Sequence, residues 1–430
     1  MIQLFFDGKS FYKDNQIESL QELTKNILNK RKELDKVSQE DILNLFHKFS
    51  QNILTDPRTR GLEGVAFLSQ WARRTNLRKL IERNFEDPKI LTEYVEKKGI
   101  LLISQPKGLV GHWMAGNVVL LGMFSLIQSI LVRNANILRI PIKSIPTMTK
   151  LLKVFQETKY KDLDGSTLIS PTAIIYYPKE DHIYNEELSK LSDARIIWGG
   201  KEAIDAISNT AKKETCEDII FGPKYSFSII DKDAINDTEY LRKNMNNLVY
   251  DIFFSEQNSC TSPHVLFCEV KYSKLKKIAT EIKNSFENLP ERYEKKEITM
   301  FQASNILKVK SSYALNPNKD VIASKDNSWT ILLDDKLRLE EPVKSRTIFI
   351  KSCDNIKEVS RLITPKIQTI GYAFKDKQKL TTLAKDLNLK GVSRIVPLGQ
   401  MNYHDAPWDG KLLLTRLVNF NSLKLAPNIK

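Results

Sequence analysis

The sequence predicts an α/β protein with two doubly wound parallel sheets, preceded by a helical N-terminal region. Short apolar runs alternate with segments of helical periodicity from Lys98 onward, and the alternation begins again near residue 222. The length of 430 residues exceeds that of one ordinary domain. We therefore expect a helical region over residues 1–90, α/β domains over 91–221 and 222–400, and a C-terminal segment over 401–430.

The elements follow from local periodicity, taken in chain order. Residues 1–85 are predicted to be helical, since 17–46 place apolar residues at helical spacing among many lysines and glutamates. The basic run at 73–79 is interpreted as a solvated helix face. The strands predicted in the first α/β domain are 101–103, 137–140, 172–177 and 194–198, with helices between them.

The second α/β domain follows the same pattern. The segment 219–230 predicts two strands around a Gly-Pro turn, and a helix over 239–251 leads into a polar loop. Further strands are predicted at 265–270, 329–334, 346–351, 368–374 and 394–396, helices at 273–287, 356–363 and 377–387, and a strand or mixed segment at 298–309.

Composition narrows the classes of partner. The formal charge of +14 favours acidic partners such as nucleotide phosphates, coenzyme A or an acidic carrier protein, while the dispersed lysines make nucleic acid the weaker interpretation. The four cysteines and five histidines show no metal-ligand spacing, so no metal site is predicted. The longest apolar run, 118–132, is short of the roughly 20 residues of a membrane span, and no signal-peptide pattern is evident. A cytoplasmic protein is expected.

One cysteine stands where a nucleophile could work. Cys260 lies at the tip of a polar turn between two apolar runs, in the sequence DIFFSEQNSCTSPHVLF. A catalytic thiol must be reachable and held still, and such a loop meets both conditions. The alternative is a structural cysteine, which the loop taken alone favours. His264 could activate the thiol, although Pro263 gives the loop its own geometry.

Two glycine-bearing loops are candidate ligand sites. Gly199 and Gly200 follow a predicted strand and open a helix, where backbone amides could approach a phosphate; a plain tight turn is the alternative. Asn117, in the sequence GHWMAGN, precedes a buried helix and could donate to an oxyanion or simply cap that helix. His112 in the same loop is interpreted as a packed core residue. Neither a GxGxxG nor a P-loop motif is present.

Several stretches together resemble the aldehyde dehydrogenase superfamily. They are GHWMAGN at 111, NANILRIP at 134, WGGKEAI at 198, FGPKYS at 221 and the Cys260 loop. GNVVLLG at 116, CTSPHV at 260, GVSRIVPLG at 391 and WDG at 408 make the chain more similar to the acyl-CoA reductase branch, typified by the reductase subunit of the bacterial bioluminescence fatty-acid reductase complex. The resemblance implies an aldehyde dehydrogenase-like fold, with a cofactor-binding domain over 91–221 and the catalytic thiol domain over 222–400.

The resemblance also implies a role for each matching residue. Cys260 would be the acyl-accepting nucleophile, with Asn117 and the Cys260 backbone amide holding the oxyanion. Gly199 and Gly200 would lie near the cofactor pyrophosphate, and Arg139 would occupy the place of a lysine near the adenosine ribose. Glu340 or Glu341 would match the glutamate that holds the nicotinamide ribose, and we expect Glu341 to take that role.

One departure from the wider superfamily predicts the type of reaction. Aldehyde-oxidising members carry a general-base glutamate, and alignment on Lys224 puts Ile220 in its place. The predicted activity is therefore NADPH-dependent reduction of an acyl thioester, either a fatty acyl-CoA or a carrier-bound acyl group, to the aldehyde. The expected partners are an acyl-CoA or acyl carrier protein donor, an acyl-protein synthetase and further copies of the chain. The rivals are a non-acylating aldehyde dehydrogenase, which needs Glu217 or Asp218 as base, and a non-catalytic scaffold.

Overall fold

The chain folds into two compact units. The structure is a computed structural model that describes residues 2–17, 19–116, 120–293, 295 and 298–426. Residues 1–222 and 404–430 form the first unit, and residues 223–403 form the second.

The strands of the described residues are β1 (Ile2–Phe6), β2 (Phe11–Ile17), β3 (Val95–Lys97), β4 (Ile100–Pro106), β5 (Leu109–Trp113), β6 (Ala135–Arg139), β7 (Lys159–Tyr160), β8 (Leu163–Asp164), β9 (Thr172–Tyr176), β10 (Ala194–Trp198), β11 (Glu217–Phe221), β12 (Tyr225–Ile230), β13 (Pro263–Glu269), β14 (Asp320–Ala323), β15 (Thr330–Asp334), β16 (Thr347–Cys353), β17 (Ile367–Ala373), β18 (Arg394–Pro397) and β19 (Val418–Leu423).

The α-helices are α1 (Leu20–Arg31), α2 (Gln39–Thr55), α3 (Val65–Trp71), α4 (Arg74–Asn84), α5 (Leu121–Leu131), α6 (Ile145–Glu157), α7 (Gly165–Ile169), α8 (His182–Leu191), α9 (Lys201–Ser208), α10 (Lys232–Asn236), α11 (Thr238–Phe253), α12 (Leu275–Glu287), α13 (Met300–Ala314), α14 (Lys377–Leu389) and α15 (Leu413–Arg416). Short 3-10 turns cover Lys32–Lys36, Pro88–Leu91, Ile142–Ser144, Tyr272–Lys274, Glu291–Tyr293 and Ile356–Leu362.

The first unit is built on a seven-stranded sheet of order β11-β10-β5-β6-β9-β1-β2. The five strands from β11 to β9 are parallel. β5 and β10 are buried along their whole length, as parallel strands covered by helices on both faces must be. The chain order reverses between β5 and β10, and open α/β sheets bind ligands in the crevice at such a point.

The first seventeen residues correct the expectation of helix. β1 and β2 form an antiparallel hairpin, and β1 pairs with β9 at the edge of the sheet. The turn is fixed by the Asp7 carboxylate, which accepts the N–H groups of Lys9 and Ser10, and by Gly8 at a φ of +83°. The helices expected in this region begin only at α1.

The C-terminal segment does not stand apart from the first unit. β19 pairs antiparallel with β4, which also pairs with β3, to make a three-stranded sheet. The Trp71 indole donates to the carbonyl of His404 at 2.7 Å. Residues from His404 onward therefore complete the unit that begins at the N-terminus.

The second unit carries a seven-stranded sheet of order β14-β15-β16-β13-β12-β17-β18, parallel except for β14. Its two faces are covered by separate apolar clusters, one with α11 and α12 and the other with α14. The segment expected as a strand or mixed element near residue 300 is the helix α13. It begins with a capping box between Thr299 and Gln302, a start signal that the periodicity analysis missed. No helix in the described ranges is long and apolar enough to cross a membrane.

Candidate active site

Cys260 lies in the loop between α11 and β13 of the second unit and is half-buried. The other three cysteines, Cys216, Cys268 and Cys353, are buried, and burial raises the pKa of each thiol, to about 12 for Cys353. Raised thiol pKa values keep those three side chains protonated and unreactive. Cys260 is therefore the thiol placed to act as a nucleophile, and no disulfide engages any of these four cysteines, all of which the structure describes.

The start of the cysteine loop is fixed by two residues in the left-handed region, Glu256 and Gln257, with φ values of +49° and +58°. The fully buried Gln257 amide donates to the carbonyls of Pro263 and Thr347 and accepts the Thr347 N–H. The Glu256 carboxylate accepts hydrogen bonds from two side-chain nitrogens of Arg346. Left-handed backbone at non-glycine residues is strained and persists only where the surroundings determine it, as they do here.

Ser226 holds Cys260 from the neighbouring strand. Its hydroxyl donates to the Cys260 carbonyl at 2.6 Å and accepts the Thr369 N–H at 3.1 Å. The register of β12 with β13 shifts between Ser226 and Ser228, and that of β12 with β17 shifts between Tyr225 and Phe227. The irregularity lies beside Ser226, whose hydroxyl contacts the nucleophile loop, and bulges of this kind recur beside active sites.

The two histidines singled out by the sequence are uncharged. Burial lowers the pKa of His264 to about 4, and its ring stacks at an angle on Tyr225. His264 Nδ1 is buried without a hydrogen-bond partner among the described residues. His112 contacts Ser125 and Asn136 through its two ring nitrogens, and burial lowers its pKa to about 4 as well. His112 is therefore the packed core residue that the sequence favoured.

Gly199 and Gly200 join β10 to α9 in the first unit. Gly200 is the N-cap of α9, and a Cβ atom added to it would meet nothing within 4 Å. The Gly199 N–H donates to the Phe221 carbonyl, which fixes the turn. The space in front of the first amides of an eight-residue helix suits a phosphate group.

Arg139 ends β6, the second parallel strand along the sheet from β10. Its guanidinium donates to the Tyr177 carbonyl at 3.1 Å and lies over the Tyr177 ring. Arg139 Nε is buried without a hydrogen-bond partner in the described part of the chain, and so is Ser144 Oγ at the start of α6. Lys143 passes close to Gly116, since a Cβ there would lie 3.2 Å from Lys143 Cε. Asn117 lies outside the described residues.

The nicotinamide-ribose candidates differ in their surroundings. The Glu340 carboxylate accepts Lys351 Nζ at 2.7 Å and Arg338 Nε at 2.8 Å, and the Glu340 carbonyl accepts the Tyr225 hydroxyl at 2.9 Å. Lys351 is fully buried and also lies 3.3 Å from Asp334. Glu341 is exposed. Glu340 therefore anchors the segment, and Glu341 is the carboxylate that faces solvent.

The acidic residues that an aldehyde-oxidising site would need are engaged elsewhere. Glu217 is ion-paired with Arg416 at 2.5 Å and Lys107 at 3.1 Å. Asp218 accepts hydrogen bonds from two nitrogens of the fully buried Arg195. Burial alone would raise the pKa of Asp218, but the hydrogen bonds and charges of Arg195 and Lys212 together lower it. Within the described residues, no group of three or more His, Cys, Asp or Glu side chains could hold a metal ion.

Ser226, Gln257 and Asn402 are site residues that the sequence analysis did not name. Ser226 belongs to the segment FGPKYS, which had already stood out, so that segment was the available signal. Nothing local marks Gln257 or Asn402, because the partners of both are brought in by the fold.

Comparison with known proteins places the chain in context. Residues 25–420 match the family model described as acyl-CoA reductase (LuxC). The long-chain acyl-protein thioester reductase of Vibrio harveyi is 28% identical over 351 residues, which cover 80% of this chain and 70% of that protein. A relative of the same description from Photorhabdus laumondii is 27% identical over 358 residues, covering 80% and 69%.

Solved structures confirm the predicted aldehyde dehydrogenase-like fold. A point mutant of the 1-pyrroline-5-carboxylate dehydrogenase of Thermus thermophilus superposes with a TM-score of 0.68 at 12% identity, covering 98% of this chain and 92% of that one. The glyceraldehyde-3-phosphate dehydrogenase GapN of Methanocaldococcus jannaschii, complexed with NADP, gives 0.64 at 15%, covering 98% of both. An acetylating aldehyde dehydrogenase from Geobacillus thermoglucosidasius gives 0.63 at 14%, covering 95% and 97%.

Proposed function

Because the chain belongs to the acyl-CoA reductase (LuxC) family, we propose that it reduces an acyl thioester to the aldehyde with NADPH, through an acyl group carried on Cys260. The observation that carries the proposal is the Cys260 loop: the one half-buried thiol among four cysteines, held by Ser226 from an adjoining strand. A nucleophile needs this combination of access and fixed position.

The chemistry assigns one task to each residue. The Cys260 thiolate attacks the thioester carbonyl, the oxyanion is held by the Cys260 amide and Asn117, and the donor thiol leaves to give an acyl-enzyme. Bound NADPH supplies the hydride for the reduction. The resulting thiohemiacetal on Cys260 collapses to aldehyde and thiolate, a leaving group that needs little acid assistance. His264, whose pKa is lowered by burial to about 4, is not a charged acid near pH 7.

The first unit fits the coenzyme at one edge of its sheet. Gly200, Gly116 and Arg139 follow or end the neighbouring parallel strands β10, β5 and β6, so all three lie at the carboxyl edge where the strand order reverses. We assign the pyrophosphate to the α9 N-terminus. Arg139, which ends β6, and Lys143, which lies close to Gly116, are cations suited to the adenosine 2′-phosphate, which favours NADPH over NADH.

The surroundings of Glu217 and Asp218, the two bases considered for aldehyde oxidation, favour thioester reduction instead. Hydrolysis of an acyl-enzyme needs a group that activates water. Glu217 and Asp218 each form an ion pair within the first unit, with Arg416 and Arg195 respectively. Ile220 carries no titratable group and cannot activate water. An acyl-enzyme on Cys260 therefore exchanges with a thiol or accepts hydride.

The acyl donor is proposed by chemical class. The relatives are named for acyl-protein thioesters, and a chain with a formal charge of +14 suits either coenzyme A phosphates or an acidic acyl carrier. We extend to this chain an acyl-protein synthetase partner and a homo-oligomeric state, both from the family. A long fatty acyl group is the expected substrate.

The test is NADPH oxidation with a panel of acyl-CoAs and an acylated carrier protein. We expect aldehyde formation by wild type, its loss in Cys260→Ala, and its retention in Cys216→Ala, which removes a buried thiol of the first unit. Acyl loading without reduction would assign the protein to acyl transfer. If the protein showed neither acyl loading nor reduction, the non-catalytic scaffold would be the remaining interpretation. Lys143→Ala tests the coenzyme: we expect KM for NADPH to rise about tenfold, with KM for NADH unchanged.

A further inference from the structure

We propose that Asn402 and Asp251 are positioning residues for Cys260, because together they fasten the nucleophile loop to the turn that follows β18. The inference rests on the proposed function, since it concerns the same thiol. All of its contacts lie within the second unit, between the end of α11, the cysteine loop and residues 399–402.

Asp251 fixes the turn. Its fully buried carboxylate stands in the last turn of α11 and accepts the N–H of Gly399 at 2.6 Å and that of Met401 at 3.1 Å. Gly399 adopts a φ of +89°, and an added Cβ would lie 3.1 Å from Asn247 Cγ. The turn is thus held in one conformation by a single acidic side chain.

Asn402 carries the connection from that turn to the nucleophile. Its amide nitrogen donates to the Asp251 carbonyl at 2.8 Å, which sets the orientation of the side chain. Asn402 Oδ1 accepts the Thr261 hydroxyl at 2.9 Å and the Ser262 hydroxyl at 3.5 Å. Since Thr261 directly follows Cys260, the Asn402 amide acts one residue from the reacting sulfur.

The network reaches both sides of Cys260. The Thr261 and Ser259 hydroxyls lie 2.7 Å apart, and the Ser259 N–H donates to the Ser255 hydroxyl. Ser255 in turn contacts the Ser262 hydroxyl at 3.1 Å. The residues before and after Cys260 are therefore fixed by one closed set of polar contacts, while the Cys260 side chain itself stays half-buried.

The Asp251 side chain, which anchors the turn, is mostly ionised only above neutral pH. Burial raises the pKa of Asp251 to about 7, against the lowering effect of the three backbone hydrogen bonds and of the Arg394 charge. Arg394 donates to the carbonyls of Met401 and Tyr403, so the same basic side chain braces the turn from its other side. Tyr250 is the neighbouring titratable group on α11, and burial raises its pKa.

The test compares substitutions at Thr261 and Asn402 in the full chain. Thr261→Val keeps the shape and removes only the hydroxyl, and Thr261→Ser keeps the hydroxyl as the rescue variant. We expect Thr261→Val and Asn402→Ala to lower kcat for acyl thioester reduction about 10- to 100-fold with KM for NADPH unchanged, and Thr261→Ser to stay within about twofold of wild type.

The second measurement does not depend on the proposed reaction. The rate at which iodoacetamide alkylates Cys260, followed by mass spectrometry across pH 6 to 9, reports the reactivity of the thiol itself. We expect its pH profile to change in Thr261→Val and Asn402→Ala and to be restored in Thr261→Ser. Unchanged alkylation profiles and unchanged kcat in both folded variants would overturn the inference. Altered alkylation in a chain that reduces no thioester would support it while refuting the proposed function.

Discussion

Replacing Ser226 by alanine removes the hydroxyl that connects β12 to the Cys260 loop and to Thr369 on β17. The Ser226 side chain is fully buried, and its loss deprives the Cys260 carbonyl of a donor and the Thr369 N–H of an acceptor. The Thr369 N–H donates to the Ser226 hydroxyl close to the point where the register of β12 with β17 shifts. The change therefore affects both the stability of the second unit and the position of Cys260.

The size of both effects follows from these two contacts. A buried backbone N–H left without a partner costs about 1–3 kcal/mol, and the lost bond to the Cys260 carbonyl adds about 1 kcal/mol. We expect Ser226→Ala to lower the free energy of unfolding by about 3 kcal/mol and Tm by about 6–12 °C. A displaced nucleophile should lower the rate of acyl transfer about 100-fold.

The matched control is Ser228→Ala, two residues along the same strand. The Ser228 hydroxyl is equally buried, but its contact is with the weak acceptor Met401 Sδ at 3.3 Å. The assays are thermal unfolding and the single-turnover rate of acyl transfer to Cys260, at a temperature where every variant is folded. Equal effects of the two substitutions on acyl transfer would refute the assignment of a special role to Ser226.

Three further predictions test other parts of the account. Iodoacetamide should alkylate Cys260 in the native protein and leave the buried Cys216 and Cys353 unmodified, as peptide mass spectrometry would show. Lys351→Met strips Asp334 and Glu340 of a buried cation, so urea unfolding should report a loss of about 3 kcal/mol. Burial raises the pKa of Asp251 from 3.8 to about 7, so its contribution to stability is complete below pH 4 and lost as pH rises through 7. Between pH 5 and 6.5 wild type should lose about 1.4 kcal/mol per pH unit relative to Asp251→Asn, and parallel curves would contradict this.

The sequence was informative where periodicity and local chemistry agree. Strands such as β10 and β13 are short, mainly apolar segments, so their place in a buried parallel sheet could be predicted. The first seventeen residues could not be interpreted in the same way. Their fold is decided by pairing with β9, more than 150 positions away, and by a turn that Asp7 and Gly8 stabilise locally.

The site shows the same division. Cys260 and Gly200 could be proposed from the sequence because a candidate nucleophile loop and a glycine turn each occupy a few consecutive residues. The residues that hold the Cys260 loop could not, since Ser226 lies 34 positions before Cys260 and Asn402 lies 141 positions after Thr261. The distinction between Glu340 and Glu341 likewise depends on Lys351, whose ammonium group is brought to Glu340 by strand β16.

The measurement that tests the central claim most directly is capture of the acyl-enzyme. Wild type and Cys260→Ala would be mixed with a radiolabelled long-chain acyl thioester without coenzyme, digested and analysed by mass spectrometry. The account predicts an acyl group on the peptide containing Cys260, released as aldehyde when NADPH is added, and no acyl peptide in the variant. Aldehyde formation by Cys260→Ala, or an acyl group carried at another residue, would contradict it.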